Sequence, residues 1–169
     1  MRIPQHLLQF KEERALLIVT GKNVAEFYIA ADGVIEKDGS FEVTLPDYFK
    51  KEGFFGRRGG GLFSSGSIVE KTKQKVKNGF LKEFKDSIKE LFSKNKINHI
   101  YIFSPSDTIN VVEKNLPATE KKKVSAAFKG NFYKQNPLAL LEKINVEIKG
   151  KEVEMLKPEE AKILKTKTL

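Results

Sequence analysis

The chain has 169 residues, 40% of them hydrophobic, which suits one globular domain over 1–169 with a substantial core. It has no cysteine and only two histidines, His6 and His99. Disulfides, thiolate metal sites and cysteine nucleophiles are therefore excluded, and zinc sites or histidine-based triads are poorly supplied. Lys and Arg total 31 against 22 for Asp and Glu, and the net charge of +9 favours nucleic acid or another polyanion as partner.

The first predicted elements are three strands of an antiparallel meander. Short β-rich runs alternate with turn signals at Asp32-Gly33 and Asp38-Gly39, and Pro46 ends the last run. The expected strands cover 14–20, 24–31 and 40–45.

A long glycine-rich loop and a long helix follow the meander. Residues 47–67 have neither a strand nor a helix period, and loops of this length are uncommon unless they are functional or disordered. Apolar residues at steps of three and four then predict an amphipathic helix over about 68–93 with a lysine-rich outer face. The residues expected to face the sheet are Val76, Phe80, Phe84, Ile88 and Leu91.

Alternating strands and helices complete the chain. Residues 98–104 predict a buried strand, and residues 105–114 predict the helix after it, begun by a Ser/Asp cap. The further predicted elements are a strand at 123–129, a helix at 137–144, a hairpin at 146–155 about Gly150 and a helical turn at 158–165.

This order of elements predicts an α/β fold. We expect a three-layer-like sandwich, in which a mixed sheet of about five strands carries helices on its faces. Its core covers about 14–145, and residues 146–169 are a C-terminal extension.

Positive charge is concentrated in the middle of the chain. Residues 1–49 carry 5 basic and 8 acidic groups, residues 50–96 carry 13 and 5, and residues 97–169 carry 13 and 9. This segregation favours a binding surface, whereas lysines that only solvate an exposed helix need no partner. Both interpretations stay open at this point.

The glycine-rich loop does not match the common nucleotide-binding motifs. A P-loop needs Gly-Lys-Ser/Thr at its end, but Leu62 and Phe63 follow Gly61. A dinucleotide-binding turn belongs to a parallel strand–helix unit, whereas this loop follows an antiparallel meander. The remaining interpretations are a surface loop without chemistry and a loop that contacts RNA.

The order of the motifs resembles a known domain. Phe41–Pro46 leads into Gly56–Gly61, and Asn98–Pro105 follows the basic helix, with Val124–Lys129 and a leucine-rich helix after it. Over about Leu16–Ile144, the chain resembles the central domain of the archaeo-eukaryotic class I peptide release factors and Pelota-like rescue factors, including compact bacterial relatives. The resemblance implies an RNase H-like or translational-machinery topology.

The resemblance also implies a function. In such release factors the loop carries Gly-Gly-Gln and promotes attack of water on peptidyl-tRNA in the ribosome. This chain has Gly59, Gly60 and Gly61 at that place, so the resemblance implies these three residues as the catalytic loop tip without the glutamine side chain. The Gly61 backbone N–H remains to stabilise an oxyanion, but whether peptidyl-tRNA hydrolysis survives stays open.

The implied activity is translation termination or rescue of stalled ribosomes. Its partners are the ribosome, through rRNA and peptidyl-tRNA, and a protein that supplies codon or subunit recognition. The alternative is a noncatalytic factor that occupies a ribosomal site during dormancy, or a protein-interaction module.

Arginines and lysines around the loop are the predicted RNA contacts. Guanidinium groups grip phosphate bidentately and stack on bases, whereas lysines contact phosphates without reading sequence. Phe54, Phe55 and Phe63 either stack on bases or anchor the loop. The predicted RNA-binding residues are Arg57, Arg58, Lys71, Lys73, Lys75 and Lys77.

The other polar residues predict no metal and no cofactor. We expect His99, in the strand at 98–104, to be a hydrogen-bonded core residue, and His6 has no evident partner. Turns or a helix cap explain Asp32, Asp38 and Asp107. An RNase H-like carboxylate cluster needs several acids at strand ends, and only Asp32 is suitably placed.

Location is the last expectation from the sequence. No apolar run approaches the roughly 20 residues of a membrane span, and the first residues lack the pattern of a signal peptide. We therefore expect a cytoplasmic protein without membrane contact.

Overall fold

The computed structural model describes residues 1–44 and 65–150, of which 65–72 are described by their backbone alone. The predicted loop at 47–67, apart from its last residues, and the predicted helical turn at 158–165 lie outside these ranges. The elements in chain order are β1 (Arg14–Thr20), β2 (Val24–Ala31), β3 (Val34–Glu42), α1 (Ser65–Lys94), β4 (His99–Ser104), α2 (Ile109–Asn115), α3 (Ala118–Lys121), β5 (Val124–Lys129) and α4 (137–150).

The strands form one mixed sheet in the order β3-β2-β1-β4-β5. β2 is antiparallel to both of its neighbours, β1 and β3, whereas β4 is parallel to both β1 and β5. β1, β3, β4 and β5 therefore run in one direction and end at the same side of the sheet, which we call the carboxyl edge. The predicted α/β fold with a mixed five-stranded sheet is confirmed.

A hydrophobic layer covers each face of the sheet. Successive strand residues point to opposite faces, so Leu16 and Ile18 contribute to one layer while Leu17 and Val19 contribute to the other. The first layer contains Phe80, Phe84, Ile88 and Leu91 of α1 with Ile109 and Val112 of α2, and the second contains Ile3, Leu7 and Phe10 of the N-terminal segment with Leu140, Leu141 and Ile144 of α4.

The predicted long helix is confirmed, and it begins slightly earlier, at Ser65. The Phe84 ring is fully buried, 6.0 Å from the Phe80 ring and 6.2 Å from the Phe27 ring. Val76 was expected on the sheet but is only half-buried. Phe80 packs on Phe41 near the end of β3, so Val76, one turn earlier, lies past the strand. None of the described helices is long and apolar enough to cross a membrane.

The third strand differs from its prediction. It was expected at 40–45 but covers Val34–Glu42. Asp38-Gly39, predicted as a turn, lies inside the strand at a β-bulge, and the register against β2 shifts there between Phe27 and Tyr28. The turn assignment was wrong because an extra residue in a bulge also suits Asp and Gly.

The N-terminal segment fixes the confirmed turn at Asp32-Gly33. Both residues have positive φ, 48° and 74°, as a tight β2–β3 turn requires. The Ile3 N–H donates to the Gly33 carbonyl at 2.7 Å, and the terminal amino group of Met1 donates to the Ile35 carbonyl at 2.8 Å. The sequence did not predict that these first residues extend the hydrophobic core.

The second helix begins later than predicted, at Ile109 instead of residue 105. A turn precedes it, in which the Thr108 N–H donates to the Pro105 carbonyl at 3.0 Å. Thr108 is the N-cap but makes no side-chain cap hydrogen bond. The predicted Ser/Asp cap is therefore wrong, because Asp107 instead accepts a hydrogen bond from the Thr108 hydroxyl at 3.3 Å.

The predicted hairpin about Gly150 is wrong in the part that the structure describes. Residues 146–150 continue α4 as helix, and 151–155 lie outside the described ranges. Ile148 follows Ile144 by four residues and packs against the same hydrophobic layer. The helical spacing of the apolar residues thus prevails over the local alternation that favoured a strand.

Candidate nucleic-acid interface

A groove of about 520 Å³ lies between α1 and the start of α2 at the carboxyl edge. The chain leaves β1 toward β2 on one side, whereas it leaves β4 through α2 and α3 toward β5 on the other. The space between the ends of β1 and β4 is therefore a topological switch point, where open α/β sheets bind ligands. The polar lining of the groove consists of Lys22, Asn23, Lys73, Lys77, Asp107 and Thr108.

Hydrogen bonds fix the turn that supplies one side of the groove. Lys22 and Asn23 form the tight connection between β1 and β2, which the Gly21 N–H closes by donating to the Val24 carbonyl at 2.8 Å. The Asn23 side-chain amide donates to the Val43 carbonyl at 2.8 Å, and the Val43 N–H donates to the Asn23 carbonyl at 2.8 Å. The turn is thereby attached to the residues that follow β3.

The sheet-packing face of α1 continues past the sheet as the opposite wall of the groove. On this face Phe80 is 2% exposed and Phe84 is 0% exposed. Lys77, Val76 and Lys73 precede Phe80 by three, four and seven residues, the spacing of one helix face, and all three line the groove. The sheet-packing face of α1 therefore changes from phenylalanine to lysine where the sheet ends.

The groove is electropositive. Among the described residues that line it, three carry ammonium groups, Lys22, Lys73 and Lys77, and one, Asp107, carries a carboxylate. Among the described residues, none forms an ion pair with these lysines. An excess of like charges over counter-charges favours the binding of an anion.

The charge along α1 is also concentrated toward the groove. Residues 65–82 contain five lysines and one acid, Glu70, whereas residues 83–94 contain three lysines and three acids. In the second group, Lys94 pairs with Glu90, which lowers the pKa of the Glu90 carboxyl and raises the pKa of the Lys94 ammonium. The C-terminal half of α1 is therefore balanced, and the groove half is basic.

The structure separates the predicted RNA-binding lysines into two groups. All three of Lys73, Lys75 and Lys77 are exposed. Lys73 and Lys77 line the groove, whereas Lys75, two positions from each, points about 160–200° away from them around the helix. Lys71 belongs to α1, in the part described by backbone alone. Arg57, Arg58 and the predicted loop tip Gly59, Gly60 and Gly61 lie outside the described residues.

His99 is far from this groove in the topology, at the amino end of β4. Its side chain is 37% exposed, so the expected core position is wrong. The expected hydrogen bonding is present, because Nδ1 lies 3.1 Å from the Ser125 hydroxyl and Nε2 lies 3.1 Å from the Glu13 carboxylate. Over the described ranges, no three His, Cys, Asp or Glu side chains form a metal-binding group.

Sequence reasoning missed Lys22, Asn23 and Thr108 and assigned Asp107 only a capping role. Each of them follows the end of β1 or β4 closely. The available signal was that the carboxyl ends of parallel strands carry ligand-binding residues. This rule identifies the residues only when β1 and β4 are known to be parallel neighbours, and the sequence pattern does not predict that strand order.

Comparison with known proteins yields structural likenesses only. No family model matches the chain, and no curated protein matches its sequence. The solved structures similar to it include the archaeal translation termination factor aRF1, with a TM-score of 0.43 and 12% identity over 86% of this chain and 42% of that chain. Another is described as an archaeal protein, with a TM-score of 0.38 and 10% identity over 86% of this chain and 41% of that chain. The chain thus spans about two fifths of the length of each structure.

Proposed function

We propose that the protein binds RNA in the lysine-lined groove and acts on the ribosome as a release-factor-like domain. The observation that carries the proposal is the change from Phe80 to Lys77 and Lys73 along the sheet-packing face of α1. Lysines on the outer face of a helix need no ligand, since they only solvate it. Lysines on the inner face, at a switch point and without a described counter-ion, are better explained by an anionic ligand.

RNA is the polyanion that fits this arrangement best. Lys73 and Lys77 are one helical turn apart, with Cβ atoms about 5–6 Å from each other, so they can hold neighbouring oxygens of a phosphate backbone. Contacts of this kind give affinity without base specificity. The net charge of +9 supports the same class of partner.

The ribosomal part of the proposal rests on the sequence. The order of motifs resembles the central domain of release and rescue factors, and Arg57, Arg58 and Gly59–Gly61 occupy the segment between β3 and α1. In this proposal the arginines contact rRNA or peptidyl-tRNA, and the glycines form the tip of the loop. Val43, just after β3, accepts a hydrogen bond from Asn23 of the groove. In this proposal the loop and the groove therefore form one surface that binds RNA.

Ribosome co-sedimentation at two salt concentrations tests this role. We expect the wild-type protein to sediment with ribosomes at low salt and to dissociate at higher salt, because phosphate contacts weaken as salt rises. The Lys73→Gln/Lys77→Gln variant should bind less, whereas Lys75→Gln/Lys82→Gln, with the same change in charge on the outer face, should bind nearly normally. Absence of the wild-type protein from ribosomes at low salt would contradict the proposal.

Peptide release separates catalysis from occupancy of the ribosome. By the resemblance, Gly61 stands where release factors carry the water-positioning glutamine, and this favours a noncatalytic ribosome-bound factor as the second candidate function. We expect slow release by the wild-type protein from ribosomes loaded with peptidyl-tRNA, and faster release by Gly61→Gln. If both proteins are inert while both remain ribosome-bound, the noncatalytic function is correct; rapid release by the wild type would overturn it.

A further inference from the structure

We infer that the groove is a subsite for a single unpaired ribonucleotide, in which Asp107 recognises the ribose 2′-hydroxyl. The inference rests on the proposed RNA binding and adds a substrate class and a specificity-determining residue to it. It depends on the size of the groove, on the arrangement of its polar and apolar parts, and on the environment of Asp107.

The size of the groove favours one unpaired nucleotide. Its volume of about 520 Å³ falls within the range of about 300–1,000 Å³ that is usual for small-molecule pockets. α1 bounds it on one side, and the β1–β2 turn and the start of α2 bound it on the other. A double helix cannot enter such a space, whereas an unstacked nucleotide of a single strand can.

Besides Asp107, the lining has a basic part and an apolar part. Lys73 and Lys77 supply positive charge on the α1 wall, and the half-buried Val76 and Val111 give an apolar surface above the buried Phe80. A nucleotide matches this arrangement because it joins a phosphate to a flat base with large apolar faces. Inorganic phosphate would leave the apolar part of the groove without a partner.

Asp107 is the feature that phosphate binding alone does not explain. A carboxylate in a basic groove weakens the binding of any anion, unless it makes a compensating contact with the ligand. Asp107 is exposed, and its partner within the described structure is the Thr108 hydroxyl at a long 3.3 Å. Its carboxylate therefore retains free acceptor capacity.

A ribose hydroxyl is the donor that suits this carboxylate. An ionised carboxylate only accepts hydrogen bonds, and the 2′-hydroxyl is the donor that distinguishes RNA from DNA. Carboxylates beyond strand ends bind ribose hydroxyls in other α/β sheets for the same chemical reason. Asn23 is less available to the ligand, because its amide group already donates to the Val43 carbonyl.

The test compares two oligomers that differ only in the 2′-hydroxyl. Binding of labelled oligouridylate and of the matching deoxyuridine oligomer, each about eight nucleotides long, is measured by fluorescence anisotropy. We expect the wild-type protein to prefer RNA. Asp107→Ala should weaken RNA binding about tenfold, the factor for one hydrogen bond to a charged group, and leave DNA binding unchanged or tighter.

Two further variants control for charge and folding. Asp86→Ala removes an exposed carboxylate from the outer face of α1 and should leave the RNA-to-DNA preference unchanged. Asp107→Asn keeps one acceptor oxygen, so it should retain part of the preference for RNA over DNA. It replaces Asp107→Ala in the test if that variant does not fold. Uridine monophosphate serves as competitor: strong displacement of the oligomer would identify a free nucleotide as the occupant and overturn the assignment to an RNA chain.

The outcomes distinguish the inference from the function on which it rests. Equal wild-type affinity for RNA and DNA, or an unchanged preference in Asp107→Ala, would overturn the ribonucleotide subsite while the groove remains an RNA-binding site. If Lys73→Gln/Lys77→Gln binds both oligomers with the wild-type affinity, RNA binding in the groove would instead be overturned.

Discussion

The hydroxyl of Thr20 donates a hydrogen bond to Ser104 Oγ at 2.7 Å, joining the last residues of β1 and β4. Both residues are 0% exposed, and over the described ranges they are the two polar residues in the fully buried set. Because the groove opens between the ends of these strands, this hydrogen bond lies directly beneath the candidate site. Lys22 follows Thr20 by two residues, and Asp107 follows Ser104 by three.

Removing one of the two hydroxyls should destabilise the protein. Thr20→Val deprives the Ser104 hydroxyl of its short partner and leaves it only the Pro105 carbonyl at 3.4 Å. We expect a loss of about 1–3 kcal/mol in the free energy of unfolding, measured by urea denaturation. Adding Ser104→Ala should restore much of the loss, since no unpaired hydroxyl then remains. If Thr20→Val alone is as stable as the wild type, the hydrogen bond contributes little to the stability of the protein.

The aromatic stripe of α1 should dominate the stability of its face of the sheet. Phe84→Ala removes a fully buried ring that neighbours Phe27 and Phe80, and should lower the free energy of unfolding by about 3–5 kcal/mol. Phe92→Ala is the matched control, because Phe92 lies on the same helix but is only half-buried. Similar losses for both variants, by the same denaturation measurement, would contradict this account of the core.

Stability should decrease at high pH because of Tyr28. Burial and the neighbouring Glu26 carboxylate raise the pKa of Tyr28 to about 12. The ordinary pKa of tyrosine in the unfolded chain is about 10, so between these values the folded state holds a proton that the unfolded state has lost. The free energy of unfolding contributed by Tyr28 is therefore complete below pH of about 10 and is lost as the pH rises toward about 12.

The Tyr28→Phe variant tests this pH dependence. The free energy of unfolding of the variant should fall less steeply than that of the wild type when urea denaturation is followed through this alkaline range. A smaller slope should persist, because burial also raises the pKa of Tyr101. Identical slopes for variant and wild type would mean that Tyr28 ionises equally easily in both states.

Most of the fold could be predicted because its elements have strong local patterns. The apolar spacing from Phe80 to Leu91 predicts α1, and the β-rich runs predict β1, β2 and β4 within a residue or so. The errors occurred where local patterns allow two structures. Asp38-Gly39 suits a turn as well as a bulge, and residues 146–150 alternate like a strand although Ile148 belongs to the apolar stripe of α4.

The candidate site was predictable only in part. The basic character of residues 71–77 predicted a binding surface, but the direction of each side chain depends on where the sheet ends beneath α1. The contribution of Lys22 and Asp107 depends on strand order, which brings together residues 85 positions apart in the chain. The single-domain organisation and the roles of Arg57, Arg58 and the three glycines remain predictions.

The salt dependence of RNA binding tests the central claim most directly. Affinity for a single-stranded RNA is measured over a range of salt concentrations for the wild type, for Lys73→Gln/Lys77→Gln and for the outer-face control Lys75→Gln/Lys82→Gln. If the groove lysines bind phosphates, the groove variant should bind more weakly and lose about 0.7 from the slope of log K against log salt for each lost contact, while the control keeps the wild-type slope. Equal slopes for both variants, with folding intact, would show that the lysines of the groove only solvate the surface.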